Sequence, residues 1–134
     1  MKKALTLTLI LAICSFTRAL EKKEPGTPSN TIKIGTAAPA DAPVKEIEVS
    51  AKKYEYTPAV IEVPLNTLAR IHLKATDREH GFEMKSFKGS CVKFKPNEPA
   101  TVEFYADKVG EYEFACCKFC GMGHGKMKGK LVVR

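Results

Sequence analysis

Cys116, Cys120, His124 and Met127 fall at intervals of four, four and three residues within "FACCKFCGMGHGKMKGKLVV", residues 114–133. The pattern is Cys-x3-Cys-x3-His-x2-Met. Thiolate, imidazole and thioether make a soft donor set, and soft donors select copper over calcium, magnesium or manganese. Gly121, Gly123, Gly125 and Gly129 let the chain among them turn sharply and approach a bound ion. One more donor has to come from a distant strand. "TDREHGFEMKSF" supplies it as His80, at a strand-to-turn boundary thirty-six residues before Cys116.

Other chemistries account for less of the pattern. Cys117-Lys118-Phe119-Cys120 is a CxxC, but a redox dithiol of the thioredoxin type needs that motif at the start of a helix. Structural zinc suits the cysteines and histidines and leaves Met127 unexplained. No paired carboxylates or nucleophile–base set stand at enzyme spacing, so a carrier is expected rather than a stand-alone catalyst. His72 is expected to face solvent from the polar side of its strand. Cys91 reads as a spare thiol on a face with Lys93 and Lys95, and Cys117 as an extra thiol that leaves the ligand register open. Met84 and Met122 read as core or loop filling ahead of auxiliary copper contacts.

The elements that must position these residues read as strands. In Glu46 to Lys52 the apolar Ile47, Val49 and Ala51 alternate with Glu46, Glu48 and Ser50. Leu68 to Ala75 sends Ile71, Leu73 and Ala75 to one face and Arg70, His72 and Lys74 to the other. Val102 with Phe104, Tyr112 with Phe114, and Leu131 to Val133 continue the style, separated by the turn signals "VPLN", "KPNEP" and "DKVGE". No window of about eleven residues or more has a helical period. The expected fold is all-β, a small antiparallel Greek-key β-sandwich, with the cysteine cluster in a loop at one end. Such a small core gains from a bound metal.

Ahead of the sandwich, residues 1–19 have the make-up of a signal peptide. Lys2 and Lys3 are followed by an apolar run, Ala4 to Phe16, and by Thr17-Arg18-Ala19 with small residues flanking a cleavage site. The run is short for a membrane span, which takes roughly 20 residues. Ile13 argues against a lipid anchor at Cys14, since a small residue is expected there. Residues 20–44 carry four of the eight prolines, which reads as an extended tether, with a first edge strand at Thr31 to Gly35 as the alternative. The copper-binding domain is then 45–134. Export to a periplasmic or secreted location removes Lys2, Lys3 and Arg18, lowering the formal charge from +7 to +4, and leaves no transmembrane segment in the mature chain. It also leaves four cysteines in an oxidising compartment, three of them within residues 116–120, which is too crowded for a framework of disulfide staples.

The upstream His-Gly-Phe and the last-loop Cys/His/Met spacing together resemble the cupredoxin superfamily, and within it the dinuclear CuA domain of cytochrome oxidase subunit II and nitrous oxide reductase. The resemblance covers Lys45 to Arg134. It implies a one-electron carrier with two copper ions, bridged by the thiolates of Cys116 and Cys120. It further implies His80 and His124 as one ligand to each ion, with Met127 and the backbone carbonyl of Lys118 as weak ligands. The chain departs from that family in having no Trp and no transmembrane hairpin, and in placing Lys118 where an acidic residue is common. Two other readings stay open: a copper-trafficking protein that holds and delivers Cu(I), and a mononuclear cupredoxin.

Lys118, Lys126, Lys128 and Lys130 make the ligand loop basic. An acidic redox partner such as an envelope cytochrome, or a copper donor or acceptor, would suit that charge; a solvated face would look the same in sequence. Nothing resembles a nucleic-acid-binding pattern.

Overall fold

The computed structural model describes residues 30–134; the expected signal peptide and the start of the tether lie outside them. Among the described residues, ten strands form two five-stranded sheets. The first sheet comprises β1 (Thr31–Ile34), β8 (Ala100–Tyr105), β5 (Leu68–Ala75), β2 (Val44–Lys52) and β3 (Glu55–Thr57), in that spatial order. The second comprises β4 (Val60–Val63), β10 (Lys128–Val133), β9 (Gly110–Ala115), β6 (His80–Met84) and β7 (Val92–Phe94).

The alternation read from the sequence sets the core. Val49, Ala51, Ile71, Leu73, Val102 and Phe104 are buried on the first sheet, while the charged residues between them stay outside. The second sheet answers with Ile61, Val63, Phe82, Phe114, Leu131 and Val133. Both sheets are mixed, which corrects the purely antiparallel expectation. The pairs β1–β8, β2–β5 and β4–β10 run parallel. Alternation reports which face a residue occupies, not strand direction, so the sequence carried no sign of this. Within 20–44, Thr31–Ile34 takes the edge-strand alternative: it pairs with β8 from Thr31↔Thr101 to Ile34↔Phe104, and Ile34 is buried.

Three rings stack beneath one end of the sandwich. Phe82 and Phe114 lie with centroids 4.7 Å apart, and Tyr56 meets Phe114 edge-on at 5.2 Å. The Tyr56 hydroxyl donates to the Gly81 carbonyl at 2.6 Å. This pile is a rigid floor under the segment that carries His80.

Candidate metal centre

The centre is assembled from β6 and from the loop between β9 and β10. His80 opens β6, and strand alternation turns it inward with Phe82 and Met84, so that it is fully buried. The loop starts where the β9–β10 ladder ends: Ala115 pairs with Lys128, and the Cys116 amide donates to the Met127 carbonyl at 3.0 Å. Those pairings fix the first and last loop donors at the neck. The chain between them folds over Tyr54. Gly121 has φ +134, and a Cβ there would stand 2.5 Å from the Tyr54 hydroxyl, so only glycine lets the loop lie this low. A single 3-10 turn, His124–Lys126, then carries His124.

All six expected residues converge. A ring nitrogen of His80 and the sulfurs of Cys116 and Cys120 lie within 4.8 Å of one another. The two sulfurs are 3.8 Å apart. His124 Nδ1 and Met127 Sδ each stand 3.7 Å from Cys120 Sγ. The Lys118 carbonyl oxygen is 3.0 Å from Cys116 Sγ. Cys116, Cys120 and Met127 are buried; His124 is half-buried beneath the exposed ring of Phe119, with centroids 5.7 Å apart.

The two nitrogens of His80 differ in a way that bears on a metal. Nε2 meets Asp77 Oδ1 at 2.7 Å, whereas Nδ1 is buried with no hydrogen-bond partner. A buried ring nitrogen without a partner is costly unless something else satisfies it. With the Nε2 proton donated to the carboxylate, Nδ1 keeps a free lone pair, which suits the carboxylate–histidine–metal arrangement. The residues present therefore fit copper. Burial opposes ionisation of Asp77, but the Lys53 amide, His80 and the Arg78 amide outweigh it and hold its carboxyl below the usual range. Burial, the neighbouring Cys116 charge and the hydrogen bond between the two cysteines push the Cys120 thiol up to about 11. Burial and the two thiols push the Tyr56 phenol up as well, which keeps it a hydrogen-bond donor.

Other expectations fare differently. His72 sits on the first sheet, bonded to Glu46 Oε2 at 2.6 Å and to Thr101 Oγ1 at 3.2 Å; it is half-buried in an ion-pair network rather than plainly solvent-facing. Met84 packs in the core, and Met122 is 96% exposed. Cys91 and Cys117 are not spare thiols. They form a disulfide, because Cys91 precedes β7 and Cys117 follows β9, strands on either side of β6, with Cα atoms 5.9 Å apart. This leaves Cys116 and Cys120 as the free cysteines among the described residues. Two of the four loop lysines have acidic partners, Lys118 with Glu79 at 3.7 Å and Lys130 with Glu111 at 3.2 Å, so the unpaired basic character falls on Lys126 and Lys128. Sequence reasoning missed Asp77. Its only signal was a carboxylate three residues before the histidine.

A two-sheet sandwich with a buried histidine, two cysteines, a second histidine and a methionine gathered at one end defines a copper-binding β-fold. The sequence profile of the cupredoxin-like domain matches residues 5–133, and the chain belongs to that family. It is 33% identical over 88 residues to cytochrome c oxidase subunit 2 of Thermus thermophilus, covering 66% of this chain and 64% of that one. The chain thus spans less than two thirds of that relative's length. Nitrous-oxide reductase of Pseudomonas fluorescens is 33% identical over 57 residues, 42% of this chain and 9% of that one. In structure, the periplasmic domain of subunit II of cytochrome oxidase (CoxB) of Bradyrhizobium japonicum superposes with a TM-score of 0.61 at 20% identity, covering 74% of this chain and 88% of that one. Among the described residues no helix is long and apolar enough to cross a membrane.

Proposed function

We propose that this chain is an exported one-electron carrier of the cell envelope with a dinuclear, CuA-like copper site, rather than a stand-alone catalyst. The observation that carries the reading is the pair of free, buried thiols 3.8 Å apart, flanked by His124 Nδ1 and by His80, whose Nδ1 has no protein partner. Cys116 and Cys120 would supply two thiolates to such a site, and His80 and His124 one imidazole each. Met127 Sδ, 3.7 Å from Cys120 Sγ, and the Lys118 carbonyl, 3.0 Å from Cys116 Sγ, would serve as weak ligands. Homology to cytochrome c oxidase subunit 2 and nitrous-oxide reductase supports the same assignment. Copper bound here would supply one-electron chemistry.

The protein's own part is to hold that group still. Asp77 fixes the His80 ring, Tyr56 and Tyr54 brace β6 and the loop from below, and the sandwich ties both to one core. A site that does not rearrange suits electron transfer, and weak ligands with the shell around sulfur tune its potential. Phe119, 67% exposed beside His124, and the exposed Lys126 and Lys128 offer a partly apolar, basic face to an acidic redox partner.

The competing reading, a courier that delivers Cu(I), uses the same ligands. The two separate on retention. Copper-loaded protein is cycled by a mild reductant and oxidant in the presence of a Cu(I) chelator. A carrier returns to its oxidised spectrum cycle after cycle with its copper still bound. Transfer of the copper to the chelator on the first reduction would favour the courier.

A further inference from the structure

Strand β6 lies between β7 and β9, but its two edges are not equally held. Toward β7 the ladder runs from His80↔Phe94 to Phe82↔Val92. Toward β9 it contains only Glu83↔Ala115 and Met84↔Phe114. The half of β6 that carries His80 therefore has no strand on the side of the ligand loop. Two things take the place of one. The Gly81 amide donates to Cys116 Sγ at 3.4 Å, and the Cys91–Cys117 disulfide passes over the outer face of β6 at the same residue. A Cβ on Gly81 would stand 2.5 Å from Cys117 Sγ and 2.8 Å from the Lys118 amide nitrogen, so the bridge rests directly on the backbone next to His80. Its loop-side cysteine is the immediate neighbour of Cys116 and of Lys118.

We propose that the Cys91–Cys117 disulfide is a positioning clamp for the metal cage, holding the strand that carries His80 against the loop that carries Cys116. It touches no metal; it acts through the backbone of Gly81, Cys116 and Lys118. With the clamp in place the donors from the two segments stay gathered without copper, which slows copper escape and shields the thiols. Its role in copper retention rests on the copper-site reading above, whereas the gathering of the two segments does not.

The test replaces both bridge residues, Cys91→Ala with Cys117→Ala, so that no new thiol is created. Val63→Ala, a core truncation in β4, serves as a control for lost stability, with rates compared at the same interval below each protein's melting temperature. In metal-free protein, labelling of Cys116 and Cys120 by iodoacetamide is followed by mass spectrometry. In copper-loaded protein, release to an excess of Cu(I) chelator is followed by absorbance. The double variant should be labelled, and should release copper, at least about tenfold faster than both the wild type and Val63→Ala. Wild-type rates in the double variant, or equal acceleration by Val63→Ala, would overturn the clamp. Should the double variant not fold, Gly81→Ala keeps the bridge but presses a methyl group on Cys117 Sγ, and should raise both rates; unchanged rates there would overturn it equally. A wild type that binds no copper would sink the copper reading alone, and the labelling comparison would still decide the clamp.

Discussion

At His80 the two ring nitrogens meet opposite surroundings, a carboxylate at 2.7 Å on Nε2 and no hydrogen-bond partner on the buried Nδ1. His80→Ala should weaken copper binding and change the spectrum while the strands persist by circular dichroism, and His72→Ala should leave the site intact. Equal spectral effects from both would contradict the placement of the centre. Asp77→Asn tests the orienting bond. It should lower apparent copper affinity about 10- to 100-fold, measured by competition with a Cu(I) chelator, because outer partners of ligating histidines carry that much. Unchanged affinity would mean that the carboxylate serves only the turn it caps through Lys53 and Arg78. His80, Cys116, Cys120, His124 and Met127 were legible because their types and intervals are chemical in themselves. Asp77 and Tyr56 were not, since a carboxylate in a turn and a tyrosine in a strand are ordinary until neighbours are known.

Strands β2, β5 and β8 carry a row of charges across their outer face. Arg70 donates to Glu46 Oε1 at 2.7 Å and to Glu103 Oε1 at 3.0 Å, while His72 meets Glu46 Oε2. Burial opposes ionisation of the Glu46 carboxyl, but His72 and Arg70 together outweigh it and hold it below its ordinary 4.5. A carboxyl lowered in the folded state contributes stability above its unfolded value and loses it as pH falls through the folded one. Thermal melts should therefore show stability dropping below about pH 4.5, and the drop should be shallower in Glu46→Gln. Parallel curves for the two proteins would mean that solvent screens the pairs completely. The alternation that put Glu46, Arg70 and His72 on one face was readable; their side-by-side contact was not, because it depends on the register Glu46↔Arg70 and Arg70↔Glu103. The same limit hid the disulfide. Cys91 and Cys117 look unrelated along the chain and become neighbours only once β7, β6 and β9 lie in order.

At the scale of the molecule, the sandwich separates a buried cage from a face that another protein can reach. Phe119 lies against His124, Met122, Lys126 and Lys128 are exposed along the same stretch, and two of the four lysines expected to form a basic rim are instead paired with Glu79 and Glu111. The steering charge is thus smaller than the sequence suggested. Lys126→Glu with Lys128→Glu should slow association with an acidic redox partner several-fold and leave the copper spectrum unchanged, since rim charges act on encounter. Stopped-flow reduction across ionic strength reads this, and the wild-type rate should fall as salt shortens the Debye length below about 8 Å. A rate flat with salt would make these lysines a solvated face. The all-β class and the end-on position of the loop were readable from alternation and turn residues. Strand order and the parallel pairs were not, because they are set by long-range closure rather than by any local pattern.

Copper stoichiometry and the electron paramagnetic resonance spectrum of the loaded, oxidised wild type separate a dinuclear from a mononuclear centre. A dinuclear centre gives two coppers per chain, with hyperfine structure of one unpaired electron shared equally between them, and loses that signal in Cys116→Ser and in Cys120→Ser alike. One copper per chain with a mononuclear hyperfine pattern, or a shared signal that survives removal of either thiol, would contradict it.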